Sequence, residues 1–287
     1  MRKRIKPGFL LVFFFAFILI LISARQYKES VEASQAGNTT SQQIQTQKKT
    51  TSPSSTEETV EIKPIVDISG WQMPEQIDYD LLANAISGAI VRVHSGAQAK
   101  EENTATHLNG MDKAYQKHIE ELQKRGVPVA VYAYVAASSK KEMEKEAEEF
   151  YKASAPYNPT YYWLDVEEKT MSDMNSGIES FRSKLSSLGA KNIGIYIGTY
   201  FILEHSIKTN KFDAVWIPTY GTNTGYYESA PETDMDYDLH QYTSVGWIPG
   251  FENAVDLNQI APNRDKTSTF KKLFGKKPSE VKITPQN

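Results

Sequence analysis

YYWLDVEE (residues 161–168) runs three aromatic side chains and a leucine straight into three carboxylates, Asp165, Glu167 and Glu168. Its apolar half alternates as a strand does, with Tyr161 and Trp163 leaving one face and Tyr162 the other. Acidic residues are poor strand formers, and like charges two apart share a face and repel. Such a stretch is either a strand with a wet tip or a strand that delivers acids to a reaction centre.

The neighbouring sequence decides the fold. Short apolar or β-branched runs recur at PIVDIS (64–69), GAIVRV (88–93), PVAVYAY (128–134), TYYWLDV (160–166), NIGIYIG (192–198), DAVWIP (213–218), DLHQYT (238–243) and NAVDLN (253–258). Helical patterns fall between them at 79–86, 111–125, 139–153 and 174–188, with a short one at 199–206. In MDKAYQKHIEELQKRG, Ala114, Ile119 and Leu122 form an apolar stripe and Gly126 closes the helix. SSKKEMEKEAEEFYK opens on serine caps and turns a charged face to water. Strands followed by helices mean right-handed parallel crossovers. The expected fold is α/β: an irregular (β/α) TIM-like barrel with about eight strands and fewer than eight helices, because the later connections are thin.

Composition narrows the function. The chain has 287 residues, 40% hydrophobic and 23% charged, which suits one large domain. A net charge of −3 gives no basic field, so nucleic acid is not the expected partner. Without a single cysteine there is no disulfide, thiolate metal site or cysteine nucleophile. His94, His107, His118, His205 and His240 show no ligand spacing, and neither G-x-S-x-G nor a phosphate-cradling loop occurs.

Four segments are expected. MRKRIK before an apolar run from Phe9 to Ile22 is an export pattern, so residues 1–25 read as a signal-anchor, with cleavage as the alternative. Residues 26–62, rich in Ser, Thr and Gln, read as a flexible stalk. Residues 63–261 form the folded domain. Residues 262–287, with six lysines, read as a solvated tail. The domain is then expected outside the cytoplasmic membrane, or in the wall if the signal is cleaved.

In a parallel barrel the reactive groups lie at the C-terminal strand ends. Asp67 ends PIVD, Asp165 and Glu167 end YYWLDVE, and Asp256 ends NAVD, so four carboxylates from three strands are expected at one mouth. Asp165 and Glu167 leave the same face, roughly 6–7 Å apart at the backbone. Each disfavours the other's ionised form, which holds one proton near neutrality, as glycosidic cleavage requires. Trp71, Tyr132, Tyr134, Trp216, Tyr220 and Tyr242, with Gln241, are the candidate substrate-binding residues: flat rings with polar tips suit sugar faces.

VDISGWQ (66–72), VYAY (131–134), WLDVEE (163–168), WIPTY (216–220) and HQYTSVGWIPGFENAVDLN (240–258) resemble, in order and spacing, the glycoside hydrolase family 25 lysozymes, the Chalaropsis-type N-acetylmuramidases. The resemblance implies cleavage of the β-1,4 bond from N-acetylmuramic acid to N-acetylglucosamine in peptidoglycan, with no metal or cofactor. It makes Glu167 the general acid/base and Asp165 its assistant, has Asp67 and Asp256 bind sugar and tune the pair, and lines a subsite with Tyr132. Ala133 stands where many relatives carry a histidine. Glycan strands are the implied partner, with an envelope assembly partner left unidentified. The alternatives are a non-catalytic wall-binding module or scaffold, and a glycosidase of chitin-like polymers.

Overall fold

The computed structural model describes residues 61–96 and 102–275. Eight strands close into a barrel in chain order: β1 (Ile65–Ile68), β2 (Gly88–His94), β3 (Val129–Tyr134), β4 (Tyr162–Val166), β5 (Ile193–Ile197), β6 (Ala214–Pro218), β7 (Leu239–Ile248) and β8 (Phe251–Ile260). Neighbours from β1 to β7 pair in parallel, whereas β8 is antiparallel to both β7 and β1.

Among the described residues there are six α-helices: α1 (Tyr79–Ala85), α2 (Tyr115–Lys124), α3 (Lys140–Ser154), α4 (Met174–Leu188), α5 (Thr199–His205) and α6 (Lys266–Phe274). Side chains fix their starts. Asp78, Ser139, Asp173 and Asp265 each accept a backbone N–H of the first turn. Gly126, Gly189 and Gly275 take left-handed conformations just past α2, α4 and α6.

Strand alternation sorts the core into two shells. Outward residues such as Val66, Val91, Val131, Leu164 and Ile195 pack against the helices. Tyr162 is one of them, its ring 5.8 Å from that of Phe150 on α3. Ala133 is another, so its side chain faces the outer layer and not the mouth. Inward residues Ile65, Ile90, Ala130, Tyr161, Trp163, Tyr196, Trp216 and Leu239 fill the barrel. Trp163 needs the space that Gly194 leaves: a Cβ there would stand 2.3 Å from its ring.

Two expectations need correction. Residues 262–287 are not all solvated tail. Phe270, Leu273 and Phe274, spaced for one helical face, bury α6 against the interior residues. Gly88, the first residue of β2, lies against the Phe274 ring, which places α6 at the N-terminal end of the barrel. The barrel is also not wholly parallel. Only Pro249 and Gly250 separate β7 from β8, a connection that antiparallel strands alone can use.

Among the described residues no helix is long and apolar enough to cross a membrane. The signal-anchor reading falls on residues 1–25, and most of the stalk reading on 26–60, both outside the described residues.

Candidate active site

The inward face of the barrel changes character along its own strands. At the level of Ile65, Tyr161 and Leu239 it is apolar; two to four residues further along lie Asp67, Asp165 and Gln241. Glu167 follows β4 at the rim. Asp67 and Asp256 sit directly opposite each other in the antiparallel β1–β8 pair. Asp256 therefore reaches the mouth from the middle of a reversed strand, and not from a C-terminal strand end as a parallel barrel would have it.

A fixed network holds the Asp67 side. Gln241 Nε2 donates to Asp67 Oδ2 at 2.9 Å, and Asn258 Nδ2 donates to the same oxygen at 2.7 Å. Gln241 Oε1 accepts from the hydroxyls of Tyr196 (2.9 Å) and Tyr220 (2.6 Å). Asn258 Oδ1 accepts from Trp216 Nε1 at 2.8 Å. Each amide is thus oriented by its other partner, and both turn their NH2 groups to the same carboxylate. Asp67 is pinned.

Asp165 differs. It is buried, and its Oδ1 has no hydrogen-bond partner. A buried oxygen left unmatched is uncommon and costs free energy unless a proton or a ligand satisfies it. Burial first, then the charge of Glu167, push the Asp165 carboxyl well above the usual carboxylate range. Glu167 is pushed up chiefly by burial, with Asp165 pulling the other way. Because Glu167 as a residue is exposed at the rim, solvent moderates its shift relative to that of Asp165.

The second pair behaves similarly. Burial raises Asp67 to about 6, opposed by Asn258 and Gln241 and reinforced by the charge of Glu167. Asp256 rises to about 8, from burial first and then from the charges of Asp67 and Glu167. Four acids that feel one another this strongly occupy one field and cannot all ionise near neutral pH.

One cation acts on this field from β2. Arg92 lies beside Tyr132 in the sheet and holds Asp165 and the Tyr132 hydroxyl down against burial. Its Nε donates to the buried carboxylate of Asp112 at 2.9 Å, and Asp112 also accepts the Gly70 N–H at 2.8 Å. Arg92 thereby ties the mouth to the loop carrying Trp71.

The expected sugar-binding residues divide. Tyr132 and Tyr134 are half-buried on the inward face of β3, and Tyr220 is half-buried beside Gln241. Trp71 is 57% exposed just past β1. Trp216 does not line an open subsite: it is 2% exposed, wedged among Tyr196, Trp163 and Tyr132, and forms the floor beneath the acids. Tyr242 is not at the mouth. Gln241 points inward, so Tyr242 turns outward, its ring 6.2 Å from that of Tyr227. Gln241 is 4% exposed and serves Asp67.

Asn258, Tyr196 and Arg92 were missed. Their signal was parity alone, two residues from Asp256, Gly194 and Ile90 respectively on inward faces. Among the described residues no group of three or more His, Asp or Glu side chains is arranged to hold a metal ion.

Comparison with known proteins now adds to this geometry. The family model for glycosyl hydrolases family 25 matches residues 66–251. Among solved structures, a glycosyl hydrolase 25 of Streptococcus pneumoniae, the virulence factor GHIP participating in host cell invasion, is 64% identical with a TM-score of 0.73. The match covers 75% of this chain and 93% of that one. The bacterial lysozyme from Streptomyces coelicolor shares the fold at 16% identity and a TM-score of 0.56, over 75% of this chain and 98% of that one. The modular autolysin LytC from Streptococcus pneumoniae, solved with a synthetic peptidoglycan ligand, shares it at 22% identity and a TM-score of 0.53, over 68% and 46% respectively. A search of curated protein sequences gave no match. With the family model covering most of the barrel, this chain belongs to glycosyl hydrolase family 25 and is a glycoside hydrolase.

Proposed function

We propose that this glycoside hydrolase is an N-acetylmuramidase, cutting the β-1,4 bond between N-acetylmuramic acid and N-acetylglucosamine in peptidoglycan. The observation that carries the reading is the pairing of Asp165 with Glu167: one buried carboxyl with an unmatched oxygen beneath one at the open rim. Burial raises both members, and the charge of Glu167 raises Asp165 further, so the pair favours sharing a proton over ionising twice. Glu167, the member that reaches solvent, delivers it to the leaving oxygen and later takes a proton from the attacking water.

Asp165 is then the carboxylate left below. Its Oδ1 is free to accept the substrate's acetamido N–H and orient that group, or to stabilise positive charge at the anomeric carbon. Asp67 and Asp256 share the second proton and set the field around Glu167. Tyr132, Tyr134 and Tyr220 line the sugar, and Trp71 offers an open ring at the rim. No step calls for a cofactor.

The envelope setting is part of the same proposal. A signal-anchor at 1–25 and a stalk at 26–62 tether the barrel outside the membrane, within reach of the wall. The pneumococcal relative's described role in host cell invasion fits a surface location for that protein.

Digestion of purified peptidoglycan, followed by borohydride reduction and mass spectrometry, tests the reaction. Reduced N-acetylmuramic acid at the new ends is expected. Reduced N-acetylglucosamine, or cleavage of chitin oligomers in preference to the wall, contradicts the bond assignment. Wall binding with no new ends favours the non-catalytic module.

A further inference from the structure

The β7–β8 hairpin does not stop at the barrel rim. Asp256 marks the level of the acids, and Phe251 lies five residues beyond it, about 17 Å at the usual strand rise. The tip leans on the segment entering α1. Asp78 N–H donates to Gly250 O at 2.8 Å, and Ile77 bridges Phe251. Gly250 has φ +95, and a Cβ there would stand 2.5 Å from Asp78 O, so this approach requires glycine. Ile248 and Phe251 are buried beneath the tip and hold it in place.

Between hairpin and helix lies a groove of about 630 Å3, a size that accommodates a small ligand. Its lining is unusual for a surface. Trp247 is 69% exposed, with Leu81 and Pro249 beside it. The side chains of Gln76, Glu252 and Asn253 line it too, and among the described residues nothing engages them. An open indole ringed by free amide and carboxylate groups matches a sugar: C–H faces stack, and hydroxyls find donors and acceptors. The groove and the mouth share an element, because the same hairpin carries Gln241 and Asp256 at its base.

We propose that this groove binds a sugar unit of the glycan strand distant from the cleaved bond, with Trp247 as its stacking platform. The ligand class rests on the muramidase reading; the groove itself does not. It lets the enzyme prefer long strands to short fragments, since Trp247 lies beyond Asp256 along the hairpin, between the Gly246–Val255 and Ile248–Phe251 pairs, and a short fragment places fewer sugar units past the acids.

The test compares the full chain with Trp247→Ala, Trp247→Phe and, as an exposed aromatic elsewhere, Tyr200→Ala. KM and kcat are measured on long peptide-free glycan strands and on the tetrasaccharide. Trp247→Ala should raise KM for long strands about 5–10-fold, the loss of one stacking contact. Its kcat should hold, its KM for the tetrasaccharide should not move, Trp247→Phe should recover most of the loss, and Tyr200→Ala should match wild type. Equal KM changes on both lengths, a Tyr200→Ala effect of the same size, or no change at all overturns the proposal. If wild type cleaves neither substrate, the muramidase reading has failed by itself. Co-sedimentation with insoluble peptidoglycan then decides the groove: weaker binding by Trp247→Ala sustains it. Equal binding overturns it and leaves the face to a protein partner.

Discussion

The lower and upper halves of this barrel's interior use the same strands and the same parity, yet they do opposite work. Below, Tyr161 stacks on Trp163 at 5.0 Å, Trp163 meets Trp216 at 5.6 Å, and Phe270 and Phe274 of α6 close the end. Above, two residues along each strand, the space holds Asp67, Asp165, Asp256 and Gln241. Aromatic packing contributes to stability through buried area and close contact. Crowded carboxyls withhold it, because burial and mutual repulsion oppose their ionisation. The lower half offsets what the upper half costs, and that division allows a rigid cluster of acids to exist in a single core.

Breaking the upper half should change rate and spare the fold. Asp165→Asn is expected to lower turnover by about two to four orders of magnitude. Its thermal midpoint should hold or rise, because a buried carboxyl whose ionisation is disfavoured gives way to a neutral amide of the same shape. A large fall in both rate and midpoint would mean that Asp165 is structural.

Breaking the lower half should do the reverse. Phe270→Ala removes a ring that is 1% exposed and should destabilise by about 3–5 kcal/mol in denaturant unfolding. Turnover per folded molecule should stay near wild type. A solvated tail, as the sequence suggested, would give almost no change.

The boundary between halves can be sharpened by pH. Asp256 has its folded pKa raised from 3.8 to about 8. Its protonated form thus contributes stability that is fully present below about pH 4 and is lost as pH rises through 8. Asp256→Asn should match wild type near pH 4 and exceed it by about 1–3 kcal/mol above pH 8, allowing for coupling to Asp67. Parallel stability curves for the two proteins across that range would remove Asp256 from the coupled set.

Outside both halves, effects should be small. Lys117 pairs with Glu121 at 2.8 Å on the surface of α2, and Lys117→Ala should cost no more than about 0.5 kcal/mol.

Much of this division is written locally. Alternation in YYWLDVEE separates Tyr162 from Trp163 and places Asp165 inward, and apolar spacing bounds α3 and α4 to within a residue. Strand direction is not written that way. NAVDLN alternates identically in either sense, so only the two-residue Pro249–Gly250 link could have shown that β8 reverses. Depth is equally silent. Trp216 and Tyr220 both lie near the end of β6, but one is floor and the other lining, because depth depends on register with neighbouring strands. The face formed by Phe270, Leu273 and Phe274 was legible, and the lysines around it drew the reading toward solvent. Asn258 shows its role only in contact with Asp67 and Trp216, neither adjacent in sequence.

The most direct measurement is the initial rate at which Glu167→Gln releases reducing ends from purified peptidoglycan, set beside wild type at equal folded fraction. A loss of about two to four orders of magnitude with an unchanged or higher thermal midpoint is the predicted result. A rate near wild type would place the proton donor elsewhere and contradict the account.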